Sequence, residues 1–292
     1  MLKRDNAYVI KQQLASYLSD FKSYREVIGQ DTFSYIEAGP PQAQCVFFIH
    51  GTVGNKTQWR GLMQLLSRQY RVIAIDVPGL AVGHVANCGC YSLTELSNYI
   101  MRFFRYRNIE SACLVAHSMG ANIACRFSAL YPAQVSSLVV ASLTGWEQLL
   151  GQSYWHKFSE FKQLLVFNNL DEFRVLFSSL FHQPPYMPDA LLDYRMRDLQ
   201  KHQTQLYKVL SHIQQEFHLL SEDLASITCP VLAINGVEDI FIELSILERV
   251  ADLLPDIYMV NFNECGHVPF LEYPKKTHSV ITKFILSNGN SL

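Results

Sequence analysis

Residues 112–120 read Ala112-Cys113-Leu114-Val115-Ala116-His117-Ser118-Met119-Gly120. The first five are small or apolar without alternation, which predicts a strand buried on both faces. From Ala121 to Tyr131 apolar residues recur at helical spacing. A strand that turns directly into a helix with Ser at the apex fits the pattern G-x-S-x-G, where a tight bend holds a hydroxyl in the open. Ala116 stands in place of the first Gly, and Gly120 is the second. Positions two before and two after the Ser must be small, and Ala adds only one methyl. The bend aims the amide of Met119 at the space in front of the hydroxyl, and the helix N-terminus behind it favours negative charge. A motif this short also arises by chance in ordinary strand-to-helix turns, so the rest of the chain has to decide.

Upstream, Cys45-Val46-Phe47-Phe48-Ile49 predicts a second buried strand. It runs into His50-Gly51-Thr52-Val53-Gly54-Asn55-Lys56-Thr57, followed by a helix over about residues 58–68. Lys56-Thr57 could close a phosphate-binding P-loop, but the two glycines it needs fall on His50 and Asn55, and the backbone could not wrap a phosphate. The other reading is a loop whose backbone amides donate to an oxyanion. Tyr70 to Ile75 is a strand ending in Asp76-Val77-Pro78-Gly79, and Leu93 to Tyr106 is a helix. Val135 to Ala141 is a further strand. Near the start, Tyr24 to Ile28 and Thr32 to Ala38 flank Gly29-Gln30-Asp31 as a hairpin. Ile10, Leu14, Tyr17, Leu18 and Phe21 predict an amphipathic helix over 6–21 that packs on the body. Its mixed-charge polar face does not suit a membrane surface. Strands alternating with helices imply an α/β fold, with a mostly parallel central sheet and helices on both faces.

The alternation breaks over residues 144–226, where helical segments occur without a strong strand. Trp155, Phe158, Phe161, Leu165, Phe173, Phe177, Phe181, Tyr194, Leu206 and Leu210 form an apolar stripe cut by Pro184, Pro185 and Pro188. This predicts a helical lid (144–226) inserted into a core made of 1–143 and 227–292. Packing between lid helices accounts for most of the aromatics. The α/β pattern resumes at Pro230-Val231-Leu232-Ala233-Ile234 and continues into Asn235-Gly236-Val237-Glu238-Asp239. A helix over about 244–254, a strand over about 257–261, the turn Glu264-Cys265-Gly266-His267-Val268-Pro269 and a closing helix over about 275–287 complete the chain.

The chain has 292 residues, 49% hydrophobic and 17% charged, and a formal net charge of −2. One sizeable globular unit with a large core follows. No basic run of the nucleic-acid-binding type is present. No stretch reaches the ~18 uninterrupted apolar residues of a membrane span, and the N-terminus does not read as a signal peptide. Cys45, Cys113 and Cys229 lie in or beside apolar runs, as small buried hydrophobes do. Cys88-Gly89-Cys90 lacks C-x-x-C spacing. A reducing cytoplasmic setting is expected.

In an open parallel sheet, functional groups gather at the carboxyl ends of the strands. Four distinctive loops follow strands here: His50-Gly51-Thr52, Ala116 to Gly120, Gly236 to Asp239, and Gly266-His267. Across roughly residues 30–285 the chain resembles a lidded member of the α/β-hydrolase superfamily. The residues that carry the resemblance are His50-Gly51, Asp76-Val77-Pro78-Gly79, Ala116-His117-Ser118-Met119-Gly120, Gly236-Val237-Glu238-Asp239 and Gly266-His267-Val268-Pro269, with nucleophile, acid and histidine in the family's chain order. Two departures stand out. Ala116 replaces a Gly, and Leu80-Ala81-Val82-Gly83-His84 replaces the usual Gly-x-Gly-x-Ser, which alters the shape of that loop.

The resemblance implies a catalytic Ser118, Asp239 and His267. Ser118 needs a base to take its proton, and imidazole suits proton shuttling. Asp239 would hold the other ring N–H, with Glu238 as the rival acid, and the family's Gly-x-x-Asp pattern favours Asp239. The backbone amides of Thr52 and Met119 would form an oxyanion hole, supported by His50, Gly51 and Gly120. His117 is expected to line the site rather than act as a base, and His84 is incidental. Relatives that use Asp at the bend, the haloalkane dehalogenases and epoxide hydrolases, are excluded by Ser118. The expected activity is hydrolysis of a carboxylic ester or thioester with an apolar portion, with no cofactor and no metal. Alternatives are a pimeloyl-acyl-carrier-protein methyl ester esterase, a C–C bond hydrolase of ring-cleavage products, and a non-catalytic binding module. The acyl-carrier-protein option would call for a basic docking patch, and the lid carries more acidic than basic side chains.

Overall fold

The computed structural model describes residues 21–81, 91–144, 155–242, 250–254 and 256–288. Residues 6–20 of the helix expected over 6–21, the loop holding His84 and Cys88 to Cys90, and most of the helix over 244–254 lie outside the described residues. Eight strands form one sheet: β1 (Lys22–Ile28), β2 (Asp31–Ala38), β3 (Cys45–Ile49), β4 (Arg71–Ile75), β5 (Ala112–His117), β6 (Val135–Ala141), β7 (Val231–Gly236) and β8 (Ile257–Phe262). Their order is β1-β2-β4-β3-β5-β6-β7-β8. The hairpin β1–β2 and the β2–β4 pair are antiparallel, and every other pair is parallel.

Side chains alternate across this sheet and divide the core in two. Phe47, Ile49, Ile73, Leu114, Ala116 and Leu138 face one side. There they meet α2 (Leu93–Tyr106) and α3 (Met119–Leu130). Val46, Phe48, Val72, Cys113, Val115 and Val139 face the other. That side is covered by α1 (Arg60–Leu66) and α9 (Pro274–Asn288). The helix expected at 58–68 begins as a 3₁₀ turn over Lys56–Trp59, capped by the Asn55 side chain.

Between β6 and β7 the described chain is helical: α4 (Trp155–Leu164), α5 (Leu170–Ser179), α6 (Asp189–Gln215) and α7 (Leu220–Ser226). Leu192, Leu206, Val209, Leu210 and Ile213 of α6 join the core on the α2–α3 side. Polar ties add to this packing. Arg126 of α3 donates to buried Asp223 of α7 at 2.6 Å, and the Thr94 N–H donates to Glu216 at 3.0 Å. Among the described residues no helix is long and apolar enough to cross a membrane.

Candidate active site

β3, β5, β6, β7 and β8 are adjacent and parallel, so their carboxyl ends form one edge, and the distinctive loops meet there. Ser118 follows β5 at φ 52°, ψ −124°. That is a left-handed backbone for a residue with a Cβ, and it costs about 1–3 kcal/mol that the surrounding fold must supply. The close approach around it explains the small neighbours. A Cβ on Gly120 would lie 2.4 Å from the carbonyl oxygen of His50, and one on Gly51 would lie 2.9 Å from the Ser118 Cβ. Val53, in the loop after β3, is also left-handed at φ 57°, an outlier for a β-branched residue.

The structure brings Ser118, His267 and Asp239 into one chain of hydrogen bonds. The Ser118 hydroxyl lies 3.0 Å from His267 Nε2. His267 Nδ1 lies 2.8 Å from Asp239 Oδ2. All three residues are buried. The second oxygen of Asp239 accepts from the Phe241 N–H at 2.9 Å. Glu238 turns elsewhere: its carboxylate accepts from the Cys265 N–H at 2.8 Å, and that backbone donor above all holds its pKa below the usual carboxylate range. The structure therefore sets Asp239, and not Glu238, against the imidazole.

His50 holds the loop before Thr52. Its Nδ1–H donates to the Gly51 carbonyl at 2.8 Å, and its Nε2 accepts from the Val77 N–H at 2.9 Å. These two bonds require one neutral tautomer, and burial pushes the ring's pKa down. Thr52 lines the cavity in front of Ser118. Met119 N–H belongs to the first turn of α3, where amides lack intrahelical acceptors. Lys56, which the P-loop reading would assign to phosphate, is instead occupied by the Asp76 carboxylate and the Ser34 hydroxyl.

His117 does more than line the site. Its Nε2–H donates to the His267 carbonyl at 2.8 Å, and the two rings pack edge to face at 4.9 Å. Phe241 stands at 5.1 Å on His267 as well. His117 is buried, and desolvation holds its pKa well below the ordinary value of 6.5, helped by the neighbouring His267.

Both depressed histidines, 50 and 117, give the fold an acid weakness. Above pH 6.5 these rings are neutral in the folded and unfolded chain alike. As pH falls below it, the unfolded chain binds protons that the folded chain refuses, so stability drops by up to about 1.4 kcal/mol per pH unit for each ring. Denaturant unfolding from pH 7.5 to 5.0 should show that decline. His117→Gln should lessen the slope while His50 keeps its share, and an equal slope in both proteins would remove His117 from the account.

A cavity of about 150 Å³ opens in front of Ser118. His117, Ser118, His267 and the stretch 52–55 form its floor, while Phe161, Phe173, Leu176, Phe177, Phe181 and Leu192 form a mostly apolar wall that also carries Arg195 and Asp198. Four aromatics that the sequence pattern assigns to helix packing thus face the cavity. Tyr194, on the same stripe, is 64% exposed. Helical spacing marks an apolar face but does not say whether that face meets another helix or a void.

Ser118, His267 and Asp239 thus stand hydrogen-bonded at a strained turn on the carboxyl edge of this sheet. Residues 44–274 match the alpha/beta hydrolase fold family, and the chain belongs to it. It is 24% identical over 253 residues to the 2-hydroxy-6-oxononadienedioate/2-hydroxy-6-oxononatrienedioate hydrolase of Cupriavidus pinatubonensis, covering 83% of this chain and 87% of that one. It is 26% identical over 251 residues to the pimeloyl-[acyl-carrier protein] methyl ester esterase of Nitrosomonas europaea, covering 78% and 90%. The solved structure of a membrane phospholipase A superposes with a TM-score of 0.87 at 23% identity, covering 99% of this chain and 94% of that one.

Proposed function

We propose that this protein hydrolyses carboxylic esters or thioesters with an apolar acyl group, through an acyl-Ser118 intermediate. The observation that carries the reading is the relay from Ser118 to His267 to Asp239 at the floor of an apolar-walled cavity. In the first step the Ser118 oxygen bonds to the acyl carbon while His267 Nε2 takes the hydroxyl proton. Charge builds on the former carbonyl oxygen, and the amides of Thr52 and Met119 receive it, each worth on the order of 3 kcal/mol. Asp239 holds the imidazolium in orientation. The tetrahedral adduct collapses, and the alcohol or thiol leaves with the proton from His267. Water then repeats the sequence on the acyl-enzyme, releasing the acid and restoring Ser118.

In this reading residues 144–226 are the lid over a core of 1–143 and 227–292, and the aromatic wall receives the acyl chain. A C–C bond hydrolase would use the same relay, and the Cupriavidus relative supports that alternative. The acyl-carrier-protein ester has its support in the Nitrosomonas relative, against an insertion richer in acids than bases. Turnover of p-nitrophenyl esters from acetyl to dodecanoyl tests the proposal. Hydrolysis with a burst of p-nitrophenol and a kcat/KM rising with chain length is expected. No turnover of any ester, with turnover of a vinylogous 1,5-diketone, would move the protein to C–C cleavage.

A further inference from the structure

Glu272 is not among the residues that line the cavity, yet it joins two segments that do. It ends α8 (Pro269–Glu272), just after the His267 turn. One carboxylate oxygen accepts from the Gly266 N–H at 2.7 Å, and the other from the His182 N–H at 2.9 Å. The neighbouring His267 N–H donates to the Leu180 carbonyl at 2.9 Å. Between these bonds the two backbones touch: a Cβ on Gly266 would fall 2.7 Å from the His182 nitrogen. Leu180 and Phe181 line the cavity wall, and His267 lines its floor.

From this we infer that Glu272 is a positioning residue for His267, tying the base to the α5–α6 connection that walls the cavity. The inference rests on the function proposed above. A charged acceptor bridging two backbone donors binds more strongly than neutral pairs do. It holds the His267 turn in a place that β8 alone does not dictate, because that turn leaves the sheet after Phe262. The 3.0 Å spacing to Ser118 depends on where the turn sits, and a shift of about 1 Å costs about a hundredfold in rate.

Glu272→Ala should lower kcat on p-nitrophenyl acetate and octanoate alike by about 10- to 100-fold, with KM held within about threefold. Labelling of Ser118 by a fluorophosphonate should slow in parallel. Glu272→Gln should fall between the two, since its single amide oxygen can accept from only one of the two segments. Should the Ala variant not fold by circular dichroism, the Gln variant is read in the same terms. Wild-type kcat and labelling in the variants, or a loss confined to KM, would overturn the tie. If Ser118→Ala also keeps full activity, the proposed function itself has failed. If that variant is dead while both Glu272 variants match wild type, only the positioning role has.

Discussion

Ser118→Ala is expected to reduce kcat by about 10⁴- to 10⁶-fold, equivalent to about 5–8 kcal/mol of barrier. The change removes the attacking oxygen and leaves everything around it. Ala retains the Cβ that the φ of 52° strains, so the backbone keeps its conformation and the melting temperature should stay near wild type. On the proposed function, what remains is the backbone amides of Thr52 and Met119 and the cavity, which would bind the ester without supplying a nucleophile. Steady-state assays with p-nitrophenyl butyrate check this, alongside thermal melts of both proteins. Activity within tenfold of wild type would mean that another group attacks the substrate.

Asp239→Asn should cost about 10⁴-fold in kcat, for a reason visible in the hydrogen bonds. One oxygen of Asp239 is held by the Phe241 N–H and the other faces His267 Nδ1. An Asn keeps its carbonyl oxygen on the Phe241 donor and turns its NH₂ toward the imidazole. His267 must then present a lone pair at Nδ1 and carry its proton at Nε2, opposite Ser118, where it cannot act as a base. Glu238→Gln retains an oxygen for the Cys265 N–H and should lose less than about tenfold by the same reasoning. The pair of variants, assayed at one pH with nuclear magnetic resonance of the His267 ring protons, separates the two acids. Equal losses would contradict the assignment.

The two adjacent acids also show where sequence reading stops. Val237-Glu238-Asp239 offers two carboxylates one residue apart, and spacing alone leaves both in play. Their side chains leave the turn after β7 in different directions, and only the folded turn sets one against Nδ1. His117 is a similar case. Its place beside Ser118 marks it as a lining residue, but its bond to the His267 carbonyl spans 150 positions of chain. Glu272 carries no sequence signal, since its partners at 182 and 266 are backbone amides that any residue but proline would offer.

Local sequence was sufficient for the strands, the alternation of helices and the tight bend at Ser118. These follow from apolar periodicity and from the small residues that a tight turn demands, both of which act between near neighbours. Tertiary structure decided which aromatics wall the cavity and what holds the His267 turn, and it sets against the imidazole the acid that the family's Gly-x-x-Asp pattern favours. Those outcomes depend on distances between segments remote in the chain, and such distances are set by the packing of the whole sheet and the helices between β6 and β7.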